Sequence, residues 1–210
     1  MMGGVWAIVL AGGSGSRFGS LKQFEPLGDR RVLDWSVAAA RAACDGTVVV
    51  VPAGLEGGED GAVTGGPSRS GSVRAGLAAV PLDAEVVVVH DAARPLAGAD
   101  LYARVVAAVR AGGDAAIPVL VVSDTIKRVA GTLVVETLDR SALVAVQTPQ
   151  AFRADVLRQA HATGAEATDD AALVEAIGGK VVTVEGDRRN LKLTTRHDVA
   201  VALALLRTAP

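Results

Sequence analysis

VWAIVLAGGSGSRFGSLKQ, residues 5–23, joins an unbroken apolar run to a glycine-rich turn and closes on two cations, Arg17 and Lys22. An apolar run without polar alternation marks a strand covered on both faces, and such strands belong to parallel sheets flanked by helices. Comparable runs recur at Thr47–Val51, Glu85–His90, Ala115–Val119 and Lys180–Glu185. Helical periodicity lies between them, at Val32–Ala43, Gly71–Ala79, Asp100–Ala111, Ala154–Thr163, Asp169–Ile177 and Arg196–Arg207. The alternation predicts an α/β sandwich of three layers around a mostly parallel sheet.

The chain has 210 residues, half of them hydrophobic, and suits one domain spanning 1–210. Aromatic residues make up only 3%, so the core must be assembled from Ala, Val, Leu and Ile. Formal charge is −2 and no segment gathers lysine or arginine into a run, which argues against duplex nucleic acid and anionic membrane as partners. A small anion held by a few cations stays open. Cys44 stands alone, which rules out an internal disulfide and a thiolate zinc site. The N-terminal residues lack a basic leader, and their apolar stretch is too short to span a bilayer, so a cytoplasmic protein is expected.

Two segments break the rhythm. Residues 121–148 read as β-rich pieces around Ala130-Gly131, a hairpin arm that projects from the sheet and needs a partner surface, either a second subunit or, as an edge hairpin, its own domain. Residues 52–67, PAGLEGGEDGAVTGGP, read as a loop crossing the top of the sheet.

A strand, a glycine-rich turn and then a cation make a phosphate-binding arrangement, because glycine lets main-chain N–H groups approach an anion. The P-loop pattern is absent, and the dinucleotide fingerprint fails at Phe18, which occupies the third glycine's place. Asp91 and Arg94 follow a buried strand in VVVVHDAARPL, where the carboxyl ends of strands line a ligand crevice; a capped turn beside a surface charge would look the same. His90 reads as a packed strand residue. Thr168-Asp169-Asp170 is a helix N-cap signal. Lys192, in an apolar LKL setting, should turn its ammonium toward a cleft.

Taken together, LAGGSGSRFG, Lys22-Gln23, GGPSRSGSV (65–73), HDAARP, DTIKR, Asp139-Arg140, VQTPQAF, TDDAALVE and NLKLTT stand in the order of the 2-C-methyl-D-erythritol 4-phosphate cytidylyltransferase family. The chain resembles that family along nearly its whole length, and HDAARP, TPQ and TDD also fit its ribitol-5-phosphate relatives. The resemblance implies a Rossmann-like fold of the nucleotide-diphospho-sugar transferase type, CTP and a polyol phosphate as substrates, Mg2+ as cofactor, and a homodimer formed through the β-arm. It further implies that Ala11, Gly12, Gly13, Ser14, Gly15, Gly66, Ser72, Asp91 and Ala92 bind the nucleotide. Arg17, Lys22, Arg140 and Lys192 would carry the catalytic charge. Asp91, Arg94, Thr125, Arg140, Thr148, Thr168, Lys192 and Thr194 would meet the polyol phosphate, with Thr125 and Arg140 reaching the neighbouring subunit's site and Asp91 facing the metal. The short spacer between Arg17 and Lys22, the reduced 52–67 segment and Pro67 depart from the family's pattern.

Overall fold

The computed structural model describes residues 4–12, 21–59 and 61–208. Its strands are β1 (Val5–Leu10), β2 (Pro26–Leu27), β3 (Arg30–Arg31), β4 (Gly46–Val51), β5 (Ala62–Thr64), β6 (Val86–Asp91), β7 (Ala115–Val121), β8 (Lys127–Ala130), β9 (Leu133–Thr137), β10 (Val144–Val146), β11 (Gln150–Arg153) and β12 (Val181–Glu185). Its helices are α1 (Val32–Ala43), α2 (Arg69–Ala79), α3 (Ala99–Arg110), α4 (Ala154–Ala162), α5 (Asp170–Ala176) and α6 (Arg196–Arg207). The predicted helices and apolar strands end within two residues of the observed bounds.

The main sheet runs β10-β7-β11-β6-β1-β4-β5, with β12 also paired to β7. The pairs β1·β4, β1·β6, β4·β5 and β7·β12 are parallel, whereas β11 lies antiparallel to β6 and β7, and β10 antiparallel to β7. The continuous apolar runs conceal a period of two. Val5, Ala7 and Val9 of β1 face one layer, with Leu33 and Val37 of α1 and Tyr102 and Val105 of α3. Ile8 and Leu10 face the other, with Val73 and Leu77 of α2, Leu157 of α4 and Val174 of α5. Alternating side chains of every buried strand therefore meet helices on both faces, the arrangement that continuous apolar strands require. A smaller cluster of Leu27, Val32, Leu193 and Ala202 binds the β2–β3 turn and α6 to the sandwich.

The 52–67 segment is not only a crossing loop. Ala62–Thr64 adds β5 as a parallel edge strand on β4, and a single 3-10 turn covers Glu56–Gly58. Three residues are too few to carry a periodic signal, and glycine on both sides hides the strand. The arm is built as β8 paired antiparallel to β9, and every residue of both strands is exposed. Among the described residues, no helix is long and apolar enough to cross a membrane.

Close packing between layers rests on small side chains. A Cβ added at Gly76 of α2 would lie 2.6 Å from Ile8 Cγ2 and 3.1 Å from Val50 Cγ2. Because both neighbours are β-branched core residues, the overlap cannot be relieved at a flexible tip. Gly76→Ala should lower unfolding free energy by about 1–3 kcal/mol, read as a reduced urea midpoint; an unchanged midpoint would show that helix and sheet can part without cost.

Candidate active site

The parallel strands β1, β4 and β6 end on one edge, and their ladder continues past the strand tips. Ala11 N donates to Val50 O at 2.7 Å, Ala92 N to Leu10 O at 2.9 Å and Gly65 N to Val51 O at 2.8 Å. The three chain segments that leave the sheet are thereby held side by side, as expected for the crevice beyond the carboxyl ends of an open α/β sheet. Gln23, 2% exposed, donates to Ala11 O at 2.5 Å, just past the tip of β1. Lys22 sits beside it in the 3-10 turn Lys22–Phe24. Gly13, Ser14, Gly15 and Arg17 lie outside the described residues.

The start of α2 borders the same edge. Ser68 caps the helix by accepting from Gly71 N at 2.9 Å, and Ser72 Oγ donates to Ser68 O at 2.9 Å. A Cβ on Gly66 would fall 2.6 Å from the Gly71 carbonyl carbon, a backbone contact that only glycine permits. One on Gly12 would fall 3.3 Å from Ser72 Oγ, so Gly12, Gly66 and Ser72 share one wall. Ala92 is buried in the layer of α1 and α3, with its carbonyl taken by Ser36 Oγ at 3.0 Å.

A charged cluster links the start of α2 to the tip of β6. Asp91, the last residue of β6, meets Lys192 Nζ at 2.7 Å on Oδ2 and Arg69 Nε at 3.6 Å on Oδ1. Arg69 continues to Asp170 Oδ2 at 2.8 Å, and Asp170 Oδ1 meets His161 Nε2 at 3.0 Å. Burial raises the cost of charge on Asp91, but Lys192 and Arg69 outweigh it and hold the carboxyl near a pKa of about 2. Burial likewise opposes charge on Arg69, and Asp170 and Asp91 overcome it, raising its pKa.

His90 knits the wall behind Asp91. It is fully buried, its Nε2 lies 3.1 Å from Arg94 O, and its Nδ1 lies 3.2 Å from Thr148 Oγ1. Thr148 Oγ1 also accepts from Asp91 N at 3.0 Å, so the hydroxyl proton is left for His90 Nδ1, and Nε2 carries the imidazole proton. Arg94 donates to Asn190 O at 2.9 Å and Val146 O at 3.3 Å, and Asn190 Nδ2 donates to Thr148 O at 2.8 Å. Thr194 donates its hydroxyl to Asp198 Oδ2 at 2.7 Å, within the capping box of α6, which fixes the segment carrying Lys192.

The structure thus gathers Asp91, Arg94, Thr148 and Lys192 around the tip of β6 and Gly12, Gly66 and Ser72 at the start of α2, with Ala92 next to Asp91 but buried toward α1 and Thr194 just beyond Lys192. Thr168 is exposed beside Asp169, which caps α5 through Ala172 N at 3.0 Å. Thr125 and Arg140 are not bonded to this wall among the described residues; both are exposed on the arm, where Arg140 donates to Ser123 O. Sequence reasoning did not single out Arg69, His161 or Asn190, and it read Asp170 only as part of an N-cap signal. Their bonds span up to 101 residues, and the sole hint was that Arg69, Asp170 and Asn190 stood inside quoted motifs.

A magnesium ion can be tested against this donor set. Among the described residues no group of three His, Cys, Asp or Glu side chains could hold a metal, and Asp91 already faces two cations. That suits an ion carried by phosphate oxygens and water, the usual state of Mg2+ beside a nucleotide.

Residues 5–208 match the family model for 2-C-methyl-D-erythritol 4-phosphate cytidylyltransferase. A Nocardia farcinica protein of that name is 46% identical over 220 residues, covering 97% of this chain and 94% of that one. A bifunctional IspD/IspF enzyme of Anaeromyxobacter dehalogenans is 48% identical, and there the match covers 96% of this chain but 57% of the relative. The chain therefore spans little more than half of the bifunctional relatives and nearly all of the single-function ones. Among solved structures, the Thermus thermophilus enzyme of the same name aligns with a TM-score of 0.83 at 37% identity, covering 96% of this chain and 98% of that one. The 4-diphosphocytidyl-2C-methyl-D-erythritol synthase of Anaerococcus prevotii aligns at 0.85 and 28%, covering 99% and 100%.

Burial lowers the His90 pKa from 6.5 to about 4, so the folded protein keeps the ring neutral. An unfolded chain takes up that proton near pH 6.5, which means stability is complete above this value and falls as the pH drops toward 4. The loss should be on the order of 3 kcal/mol across that window. His90→Gln, which cannot take up the proton, should lack this part of the acid slope in denaturant titrations at pH 7, 5.5 and 4. Parallel slopes for both proteins would show that His90 is not held neutral.

Proposed function

The chain belongs to the 2-C-methyl-D-erythritol 4-phosphate cytidylyltransferase family, and on that premise we infer that it joins CTP to 2-C-methyl-D-erythritol 4-phosphate. The products are 4-diphosphocytidyl-2-C-methyl-D-erythritol and pyrophosphate, a step of the non-mevalonate route to isoprenoid precursors. The observation that carries this reading is the Lys192–Asp91 pair, 2.7 Å apart at the tip of β6 and beside the strand ends that lead to the glycine turn. It supplies a cation where a second phosphorylated ligand would face the first.

A phosphomonoester oxygen is already an anionic nucleophile at neutral pH, so the reaction needs no histidine or serine nucleophile. The neutral, buried His90 agrees with that economy. The phosphate oxygen attacks the α-phosphorus of CTP, a new P–O bond forms, the α–β anhydride bond breaks, and pyrophosphate leaves with the bonding electron pair. The protein's task is to align the two groups and to neutralise their charge. The glycine turn, Ala11–Gly15, with Gly66, Ser72 and Ala92, receives the nucleotide. Arg17 and Lys22 stabilise the pentavalent phosphorus. Lys192 and Arg140 hold the polyol phosphate, with Asp91, Arg94, Thr125, Thr148, Thr168 and Thr194 around its hydroxyls. Bound Mg2+ would add charge neutralisation on the triphosphate, with Asp91 the carboxylate facing it.

The arm supplies what one chain lacks. Val129, Leu133, Val134 and Val135 are each more than half exposed on β8 and β9, and such a hairpin is stable only when another surface covers it. A homodimer in which the arms embrace would cover these side chains and bring Thr125 and Arg140 to the partner's crevice.

Purified protein should release pyrophosphate from CTP and Mg2+ in the presence of methylerythritol phosphate and much more slowly with ribitol 5-phosphate. Faster release with ribitol phosphate would reassign the substrate, and none with either would refute the activity. Lys22→Ala and Arg140→Ala should each lower turnover roughly 100-fold, the range for losing one preorganised charge stabiliser. Mixed dimers of the two variants should regain activity through the one crevice that keeps both residues. Activity no greater than the sum of the separate variants would place Arg140 in its own chain's site.

A further inference from the structure

Arg69 has no part in the residue roles assigned above, yet it is the hub of the charged cluster. It opens α2, its side chain is 25% exposed, and it links two carboxylates that approach from different elements. One is Asp91 at the tip of β6, 3.6 Å from Nε, and the other is Asp170 at the start of α5, 2.8 Å from the guanidinium. Asp170 is fully buried and also bonded to His161, whose side chain is 3% exposed. The far end of Arg69 is therefore anchored in the protein, independent of any ligand.

We propose that Arg69 is a positioning residue for the polyol phosphate: by sharing the charge of Asp91, it leaves the Lys192 ammonium able to turn to an incoming phosphate. This rests on the activity inferred above. With Lys192 as its only cation, Asp91 would form a closed pair, and any phosphate would have to win the ammonium from a carboxylate at 2.7 Å. With Arg69 on Oδ1, the carboxylate keeps a fixed counter-charge when Lys192 redirects one of its three donors. Lys192 suits this part, since its side chain is 42% exposed while the Asp91 side chain is only 14% exposed. The nucleotide wall does not depend on Arg69, because Ser68, Gly66 and Gly71 fix the start of α2 through the helix cap and backbone contact.

Steady-state kinetics on full-length Arg69→Met, Arg69→Lys and the double variant Arg69→Met/Asp170→Asn, with thermal midpoints for each, test the role. Arg69→Met should raise KM for methylerythritol phosphate about tenfold, the worth of one charge-assisted contact, while KM for CTP changes less than about twofold. Arg69→Lys should recover most of that loss by restoring the charge. In the double variant the buried Asp170 charge is removed together with its partner, so the midpoint should rise toward wild type while the KM defect persists. An unchanged KM in Arg69→Met, an equal rise for both substrates, or a defect that vanishes when the midpoint recovers would each overturn the positioning role. If the wild-type protein turns over neither substrate, the failure lies with the activity itself and takes this inference with it.

Discussion

The ionised Asp91 carboxylate at the end of β6 is the constraint around which the crevice is organised. It sits where the sheet ends, and burial there makes a lone negative charge costly. Two cations from distant parts of the sequence answer it: Arg69 at the head of α2 and Lys192 in the segment before α6. Each brings its surroundings along. Arg69 carries the glycine-bounded start of α2, and Lys192 carries Leu193, whose N–H donates to Ala93 O at 2.8 Å. One charge thereby draws three connections of the sandwich onto one edge of the sheet.

What holds Asp91 itself in place is neutral. The His90 ring accepts from Thr148 and donates to the Arg94 carbonyl, so the residues on either side of Asp91 are bonded to β6 through a side chain that stays uncharged at neutral pH. Arg94 in turn is held by main-chain carbonyls of Val146 and Asn190. The wall's polar groups are only partly satisfied, since Arg94 Nε and Asn190 Oδ1 are buried without a hydrogen-bond partner among the described residues. Packing behind it uses Val, Ala and Gly in place of aromatic bulk, which lets α2 lie close enough to β1 and β4 for its first turn to overhang the strand tips.

Most of the architecture was legible because it rests on local patterns. Buried parallel strands read as apolar runs, the intervening helices read as amphipathic periods, and Ala130-Gly131 announced the hairpin, where Gly131 adopts φ 59°. β5 was hidden because an edge strand of three residues between glycines has no period to detect. The antiparallel insertion of β11 between β6 and β7 was hidden as well, because strand order is a tertiary property. In the crevice, Asp91 and Lys192 could be placed at a strand tip and before a helix. Their pairing, and the extension through Arg69 and Asp170 to His161, depends on contacts between segments that carry no mutual signal in one sequence. Asp170 illustrates the difficulty: Thr168-Asp169-Asp170 reads as an N-cap, and Asp169 does cap α5, but the next aspartate points inward to anchor Arg69.

A double-mutant cycle on folding stability, with Asp91→Asn, Lys192→Met and the pair together, measures the central contact most directly. The exposure of Lys192 limits its worth, so the two changes should fail to add by about 1 kcal/mol, with the pair less damaging than the sum. Additivity within about 0.3 kcal/mol would mean that Asp91 and Lys192 ignore one another, and the crevice would have lost the interaction that assembles it.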